Sequence, residues 1–422
     1  MRRRIAVVIT NRAPYGRLLP VIKALKDHPG IELQIILATS NILDSLIFVL
    51  RYGNFWYVLQ RLVLHLYYQT VVLLKKRKLF SRADPIEHDL LASGLQVTVR
   101  VPLFIHQNNL EDMAKVIGVG LFALPEVFKS LKSEVVLVHA DRFEMLAVAI
   151  SAAMSNLLIA HTQGGDITGS IDESVRHAIS KFAQIHFPTT EVSKRRLIRM
   201  GENPESVFMV GCPTIDYVKS LTLDITDDLY EHLAKGYGKV PDLSLPYVLV
   251  MQHPITTEHN AAGSDIVHTL SAVQQLGLQT IVIGPNIDAG RDAIGQEINK
   301  FIETHTLPSL LIHKSLRPED FYRVLGHATV AIGNSSSFIR EGSYLGTPCV
   351  LVGKRQGHRE RGENVVEVNA YAQDIVEAAK KQIAHGRYSQ DMLFGSGNAS
   401  TQIANILAEY NPPIQKRFYE TT

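Results

Sequence analysis

Apolar runs rich in β-branched residues recur along the chain, at Ile5–Thr10, Ile31–Ala38, Val135–His139, Leu157–His161, Ile185–Pro188 and Val207–Val210. A second series follows at Tyr247–Gln252, Thr280–Gly284, Leu310–His313, Val330–Gly333 and Cys349–Val352. Segments of helical periodicity separate them. Strands that read as continuous apolar runs are covered on both faces, which is the pattern of parallel sheets flanked by helices. Between the two series, residues 212–246 carry Cys212-Pro213, the acidic Asp224–Asp228 segment and the stretch from Pro241 to Pro246, with no strand pattern. The expectation is an α/β chain of two doubly wound, Rossmann-like domains facing a cleft. An N-terminal domain is expected over 1–215 and a C-terminal domain over 216–394. In the terminal segment 395–422, a last helix, Ala399–Tyr410, is expected to cross back to the first domain, after a helix at Asp374–His385.

At 422 residues the chain fits two such domains. Its net charge is +2 with 17 His counted neutral, and basic and acidic residues are interspersed, so the surplus of Lys and Arg needed for a nucleic-acid face is missing. The two cysteines, Cys212 and Cys349, lack metal-ligand spacing; they read as inert packing residues of a reduced, cytoplasmic protein. The start, Met1 to Arg4 followed by Ile5–Thr10, is too short in its apolar part for a signal peptide and reads as a first strand. Residues 46–80 stand apart. Their longest charge-free piece, Leu62–Leu74, is 13 residues, short of the ~20 that a membrane span needs. This segment is expected to be a helical insertion at a subunit interface, in preference to a membrane-surface contact or a cap over the cleft.

Doubly wound sheets bind ligands at the carboxyl ends of their strands, and polar clusters stand at those ends. The densest runs from Gly333-Asn334-Ser335-Ser336-Ser337 through Arg340-Glu341-Gly342 to Arg359-Glu360-Arg361-Gly362. Hydroxyls and free N–H groups at a strand-to-helix turn make an anion seat. Glu341, one to two turns into the helix, is placed to accept two ribose hydroxyls, so a nucleoside diphosphate is the natural ligand. In Asn11-Arg12-Ala13-Pro14-Tyr15-Gly16, Arg12 can face a phosphate from a loop before a helix that starts near Arg17; the alternative is an ordinary turn. In His139-Ala140-Asp141-Arg142, Asp141 and Arg142 either satisfy one another or orient a base and bind phosphate. His161-Thr162-Gln163-Gly164-Gly165-Asp166 leads into Asp172, Glu173, Arg176 and His177. Asp172 and Arg176, at i and i+4, are expected to pair on one helical face, and one carboxylate here can act as general acid or base; a solvated, salt-bridged helix start is the alternative. His253 can meet a leaving diphosphate, Asn286 and Asp288 lie in a turn-rich loop, and His313 ends the next strand. Each also fits a plain rim or turn role. Walker, GxSxG, HExxH and GxGxxG motifs are absent.

Taken in order, NRAPY, HADRF, HTQGGDITGSIDESVRHAISK, QHPITTEH, GPNIDAG, GNSSSFIREGSYLGTPCVLVG and RQGHRERGEN resemble the hydrolysing UDP-N-acetylglucosamine 2-epimerases over about residues 5–370. The resemblance implies a GT-B fold, like that of glycogen phosphorylase. It also implies release of UDP and a free C2-epimer from a UDP-2-acetamido sugar, in sialic acid and related nonulosonate synthesis, by anti elimination to a 2-acetamidoglycal and hydration, with no cofactor or metal. It carries Asp141, Gln163, Asp172, Arg176 and His253 to the sugar site. To UDP it carries Arg12, Arg142, Asn286, Asp288, His313, Ser335, Ser336, Glu341 and Arg359. A homodimer or homotetramer is expected. Some members have Glu where this chain has Gln163, and an amide is no base at neutral pH, so the base is expected to be Asp172, ahead of Asp141 and Glu173. Pro14 also stands where members often have an acidic residue. The alternative substrate is a UDP-diacetamido-trideoxyhexose of the legionaminic acid route. A glycosyltransferase of the same fold, a non-hydrolysing epimerase and a non-catalytic nucleotide-sugar sensor are the rival readings.

Overall fold

The computed structural model describes residues 2–10, 12–39, 85–103, 110–255, 262–285, 290–304 and 309–420. The insertion expected at 46–80 lies outside them. Two twisted sheets organise the chain. In the first, β1 (Arg3–Ile9), β2 (Ile31–Thr39), β3 (Val99–Pro102), β4 (Val135–His139), β5 (Leu158–Thr162) and β6 (Ile185–Phe187) run parallel in the order β3-β2-β1-β4-β5-β6. The second is built from β7 (Tyr237–Gly238), β8 (Tyr247–Met251), β9 (Gln279–Ile283), β10 (Leu310–His313), β11 (Val330–Gly333), β12 (Cys349–Val352) and β13 (Val365–Val368). Its order is β13-β12-β11-β8-β9-β10-β7, antiparallel only at β7. Each sheet reverses its strand order beside its first central strand, at β1/β4 and at β8/β11, and such reversals open the crevice in which ligands sit.

Alternate residues of each central strand enter separate cores, as period-two geometry requires. Ile5, Val7 and Ile9 pack with Leu18, Ile22 and Leu25, whereas Ala6 and Val8 face Val127, Phe128 and Val148. In the second sheet Tyr247, Leu249 and Met251 meet Phe338, Ile339 and Tyr322, while Val248 and Val250 meet Ile266, Leu270 and Ile375. The helix Ala399–Glu409 buries Ala399, Ile403, Ala404 and Leu407 in the core of the first sheet. Its N-terminus is held by Asp216, whose carboxylate accepts from the backbone N–H groups of Ala399 and Ser400 at 3.1 and 2.6 Å.

Two local expectations are corrected, and three edge strands join those expected. Val207–Val210 is no strand: a single bridge, His186 to Val207, joins it to β6. The edge strands β3, β7 and β13 carry no continuous apolar run, because an edge needs cover on fewer sides. The first helix begins at Arg12 rather than near Arg17; Pro14 falls within its first turn, where a missing N–H is tolerated. Among the described residues no helix is long and apolar enough to cross a membrane.

Candidate active site

The second domain supplies a turn built around Gly333, whose φ is +142° and whose added Cβ would lie 2.2 Å from the Met251 carbonyl oxygen. The next residue, Asn334, locks two strand ends together: its Oδ1 accepts from the His253 N–H at 2.7 Å and its Nδ2 donates to the His253 carbonyl at 2.8 Å. Ser335 caps the helix Ser336–Leu345, its Oγ accepting from the Ser337 N–H at 3.3 Å. Arg17, from the first domain, donates from Nη2 to Ser336 Oγ at 2.8 Å. A helix N-terminus, hydroxyls and a guanidinium therefore converge, which is the equipment for binding phosphate. Further along the same helix, Glu341 is fully buried, and neither carboxylate oxygen has a hydrogen-bond partner. Buried carboxylates ordinarily have partners, so these acceptors are open to the hydroxyls of a ligand.

The first domain answers with carboxylates and a guanidinium. Buried Arg176 donates from Nη1 to the Asp166 carbonyl at 2.8 Å and from Nη2 to Asp141 Oδ2. Asp141 follows Ala140, which has φ +58°. That turn is held by His161, whose Nε2 lies 2.8 Å from the Ala140 carbonyl oxygen and therefore carries the proton. Burial, above all, holds the His161 imidazolium down to about 3, so this histidine is a neutral prop at neutral pH. Gln163 adopts φ +62° and is buried; its Nε2 donates to Cys212 Sγ at 3.4 Å and its Oε1 has no partner. Asp172 opens the helix Asp172–Phe182, half-buried, with Oδ2 accepting from Ser170 Oγ at 3.0 Å.

The sequence profile described as UDP-N-acetylglucosamine 2-epimerase matches residues 83–408. The UDP-N-acetylglucosamine 2-epimerase of Neisseria meningitidis is 27% identical over 424 residues, spanning 99% of each chain. The Legionella pneumophila UDP-N,N'-diacetylbacillosamine 2-epimerase (hydrolyzing) is 32% identical over 407 residues, 96% of each. The chain belongs to the UDP-N-acetylglucosamine 2-epimerase family. Its fold is that of the Methanocaldococcus jannaschii UDP-GlcNAc 2-epimerase crystallised with UDP-GlcNAc and UDP, with a TM-score of 0.73, 15% identity and coverage of 96% of this chain and 99% of that one. The two-domain, GT-B-like architecture follows.

Within this epimerase-family member, Asp141 and Arg176 meet directly, and Ser335 caps the helix that carries Ser336 and Glu341. The expected Asp172–Arg176 pair does not form: Arg176 turns inward to Asp141, and Asp172 is left with Ser170. Nor do Asp141 and Arg142 satisfy each other, because Arg142 Nε donates to Glu144 at 3.2 Å. Glu173 accepts from the Thr168 N–H at 2.6 Å and lies 3.9 Å from His177. Arg359 is buried, 3.4 Å from Asp166 and donating to Gln356 at 2.7 Å. His313 ends β10 with both ring nitrogens buried and unpartnered. Asn286, Asp288 and the side chain of Arg12 lie outside the described residues. Sequence reading missed Arg17, His139, Asp166, Asn334 and Arg340 as site residues. His139, Asp166, Asn334 and Arg340 stood in the polar clusters, but their partners are tertiary facts: His139 is buried with Nδ1 2.8 Å from Thr162 Oγ1.

Proposed function

We propose that the chain hydrolyses and epimerises a UDP-2-acetamido sugar at C2, converting UDP-N-acetylglucosamine and water to N-acetylmannosamine and UDP. The observation that carries the reading is Glu341, a fully buried carboxylate with both oxygens unpartnered, less than two turns from the Ser335–Ser336 phosphate seat. A ribose diol supplies the two donors that these acceptors lack. Ser335, Ser336 and Arg17 then face the diphosphate, and His253, its backbone fixed by Asn334, is the donor to the departing group.

On the sugar side a base removes the C2 proton while the C1–O bond to UDP breaks, leaving a C1–C2 double bond. Water then gives its hydroxyl to C1, and C2 is reprotonated on the opposite face. The balance needs no oxidant or reductant. Asp172 is the best-placed base. Asp141 is engaged by the Arg176 guanidinium and Glu173 by a backbone N–H, whereas Asp172 accepts only from the Ser170 hydroxyl. Hydrolysis, with a free sugar as product, is supported by the name of the Legionella relative. Because that relative is 32% identical against 27% for the Neisseria enzyme, UDP-N,N'-diacetylbacillosamine is the second substrate to test.

The test is proton NMR of the purified protein with each nucleotide sugar in D2O, without acceptor. Free N-acetylmannosamine deuterated at C2, with UDP, is the expected product of UDP-N-acetylglucosamine. UDP-N-acetylmannosamine would replace this reading with non-hydrolysing epimerisation. Unchanged spectra with both sugars would overturn it in favour of glycosyl transfer or nucleotide-sugar sensing.

A further inference from the structure

Asp166 is buried where the two domains meet, and none of its oxygens is idle. One carboxylate oxygen accepts from Arg340 at 2.9 Å and lies 3.4 Å from Arg359, both in the second domain. The other accepts from Ser193 Oγ at 2.8 Å, in the first. Its backbone carbonyl accepts from Nη1 of Arg176, and Nη2 of the same guanidinium holds Asp141. On the far side, Arg340 directly precedes Glu341 on the helix that begins at Ser336. One residue thus joins, through its carboxylate, the helix that would grip the nucleotide and, through its backbone carbonyl, the guanidinium that orients the sugar-side carboxylate.

Resting on the nucleotide-sugar reading above, we infer that Asp166 is a positioning residue for the reaction: through Arg340 it fixes the nucleotide helix against the Arg176–Asp141 pair, so that a bound UDP holds C1 and C2 of the sugar in register with the first domain's carboxylates. Asp166 itself touches no substrate. Its loop packs closely on the first domain's own backbone: Gly165, at φ +81°, would bring an added Cβ within 2.3 Å of the Ser193 carbonyl oxygen. Loss of the bridge should therefore be felt as misregister between two otherwise intact half-sites, and a misplacement of about 1 Å is worth about 100-fold in rate.

The experiment compares the wild type with Asp166→Asn, Arg340→Met and the double variant, measuring UDP affinity by calorimetry, kcat and KM for UDP release, and the melting temperature. The expected result is a kcat lowered about 100-fold in Asp166→Asn and about 10-fold or more in Arg340→Met, with UDP affinity within about 3-fold of wild type. The double variant should be no slower than Asp166→Asn within about 3-fold, since both substitutions break one connection. Arg340→Met leaves Asp166 paired with Arg359 and carries the test alone if Asp166→Asn does not fold. A wild-type kcat in Arg340→Met overturns the inference, as does a kcat loss matched by equal losses of UDP affinity and melting temperature, the mark of a merely structural bridge. A wild type that neither binds UDP nor releases it from a UDP sugar overturns the functional reading, and this inference with it; the two failures are told apart by that first measurement.

Discussion

At the scale of single residues, Glu341 and Asp172 make opposite demands. A buried carboxylate without partners is costly to the ligand-free fold, whereas hydrogen bonds from a diol to a charged acceptor are each worth about 1.5–3 kcal/mol. Glu341→Gln is therefore expected to raise the melting temperature of the ligand-free protein and to weaken UDP binding by ~10-fold or more, read by calorimetry and scanning fluorimetry on the same samples. A lower melting temperature with unchanged affinity would leave Glu341 a structural residue. Asp172→Asn and His253→Ala are each expected to lower turnover by at least about 100-fold, the scale of a lost acid–base group; near-normal UDP release in either variant removes that residue from the mechanism.

At the scale of elements, the site depends on loops whose backbone allows little choice. Gly165→Ala places a Cβ 2.3 Å from the Ser193 carbonyl oxygen in a left-handed conformation, and no rotamer relieves it; a loss of about 2 kcal/mol or more is expected in denaturant titration. Gly118 is the contrast. It lies inside the helix Leu110–Leu131 with nothing within 4 Å of an added Cβ, so Gly118→Ala should stabilise by about 0.5–1 kcal/mol. Equal effects of the two substitutions would refute this account of the 163–166 loop. A second device of this scale is the C-terminal segment after Glu409, which returns over the first domain. Lys416 Nζ donates to the carbonyls of Ser180 and Ala183 at 3.0 and 2.8 Å and pairs with Glu202. It thereby satisfies carbonyls at the end of the helix that carries Asp172 and Arg176.

At the scale of the whole molecule, buried titratable groups set the response to acid. Burial raises the Glu202 carboxyl, but the hydrogen bond from His186, the charge of Lys416 and the hydrogen bond from Lys181 outweigh it and hold the group down to about 2, against 4.5 when unperturbed. A folded value below the unfolded one gives stability that is present above about 4.5 and is lost as the pH falls to about 2. His161 adds to this from higher pH. Its folded value of about 3 lies below 6.5, so the unfolded chain takes up a proton that the folded chain refuses, and stability falls as pH drops from 6.5 towards 3. Urea midpoints should decline throughout that range, and Glu202→Gln should flatten the decline only below about 4.5. A midpoint independent of pH between 6.5 and 4.5 would contradict the buried neutral state of His161.

The sequence by itself determined the central strands, because a strand covered on both faces is apolar at most of its positions, and it determined the strand-to-helix turn at Gly333–Ser336, because that turn admits few residue types. It also placed most candidate groups at strand ends, where doubly wound sheets leave their ligands. Edge strands such as Val365–Val368 escaped it, since an exposed face relaxes the apolar pattern and leaves Glu367 unremarkable. Only the tertiary structure decided the partners. Helical spacing offers Asp172 to Arg176, yet the guanidinium is turned to Asp141 and the Asp166 carbonyl, because a buried cation is satisfied by whichever acceptors the packed loops bring to it. Arg17, Asp166 and Arg340 become site residues for the same reason: their contacts, Arg17 with Ser336 and Asp166 with Arg340, join positions far apart in the chain, and no local pattern encodes which two sheet ends will face each other.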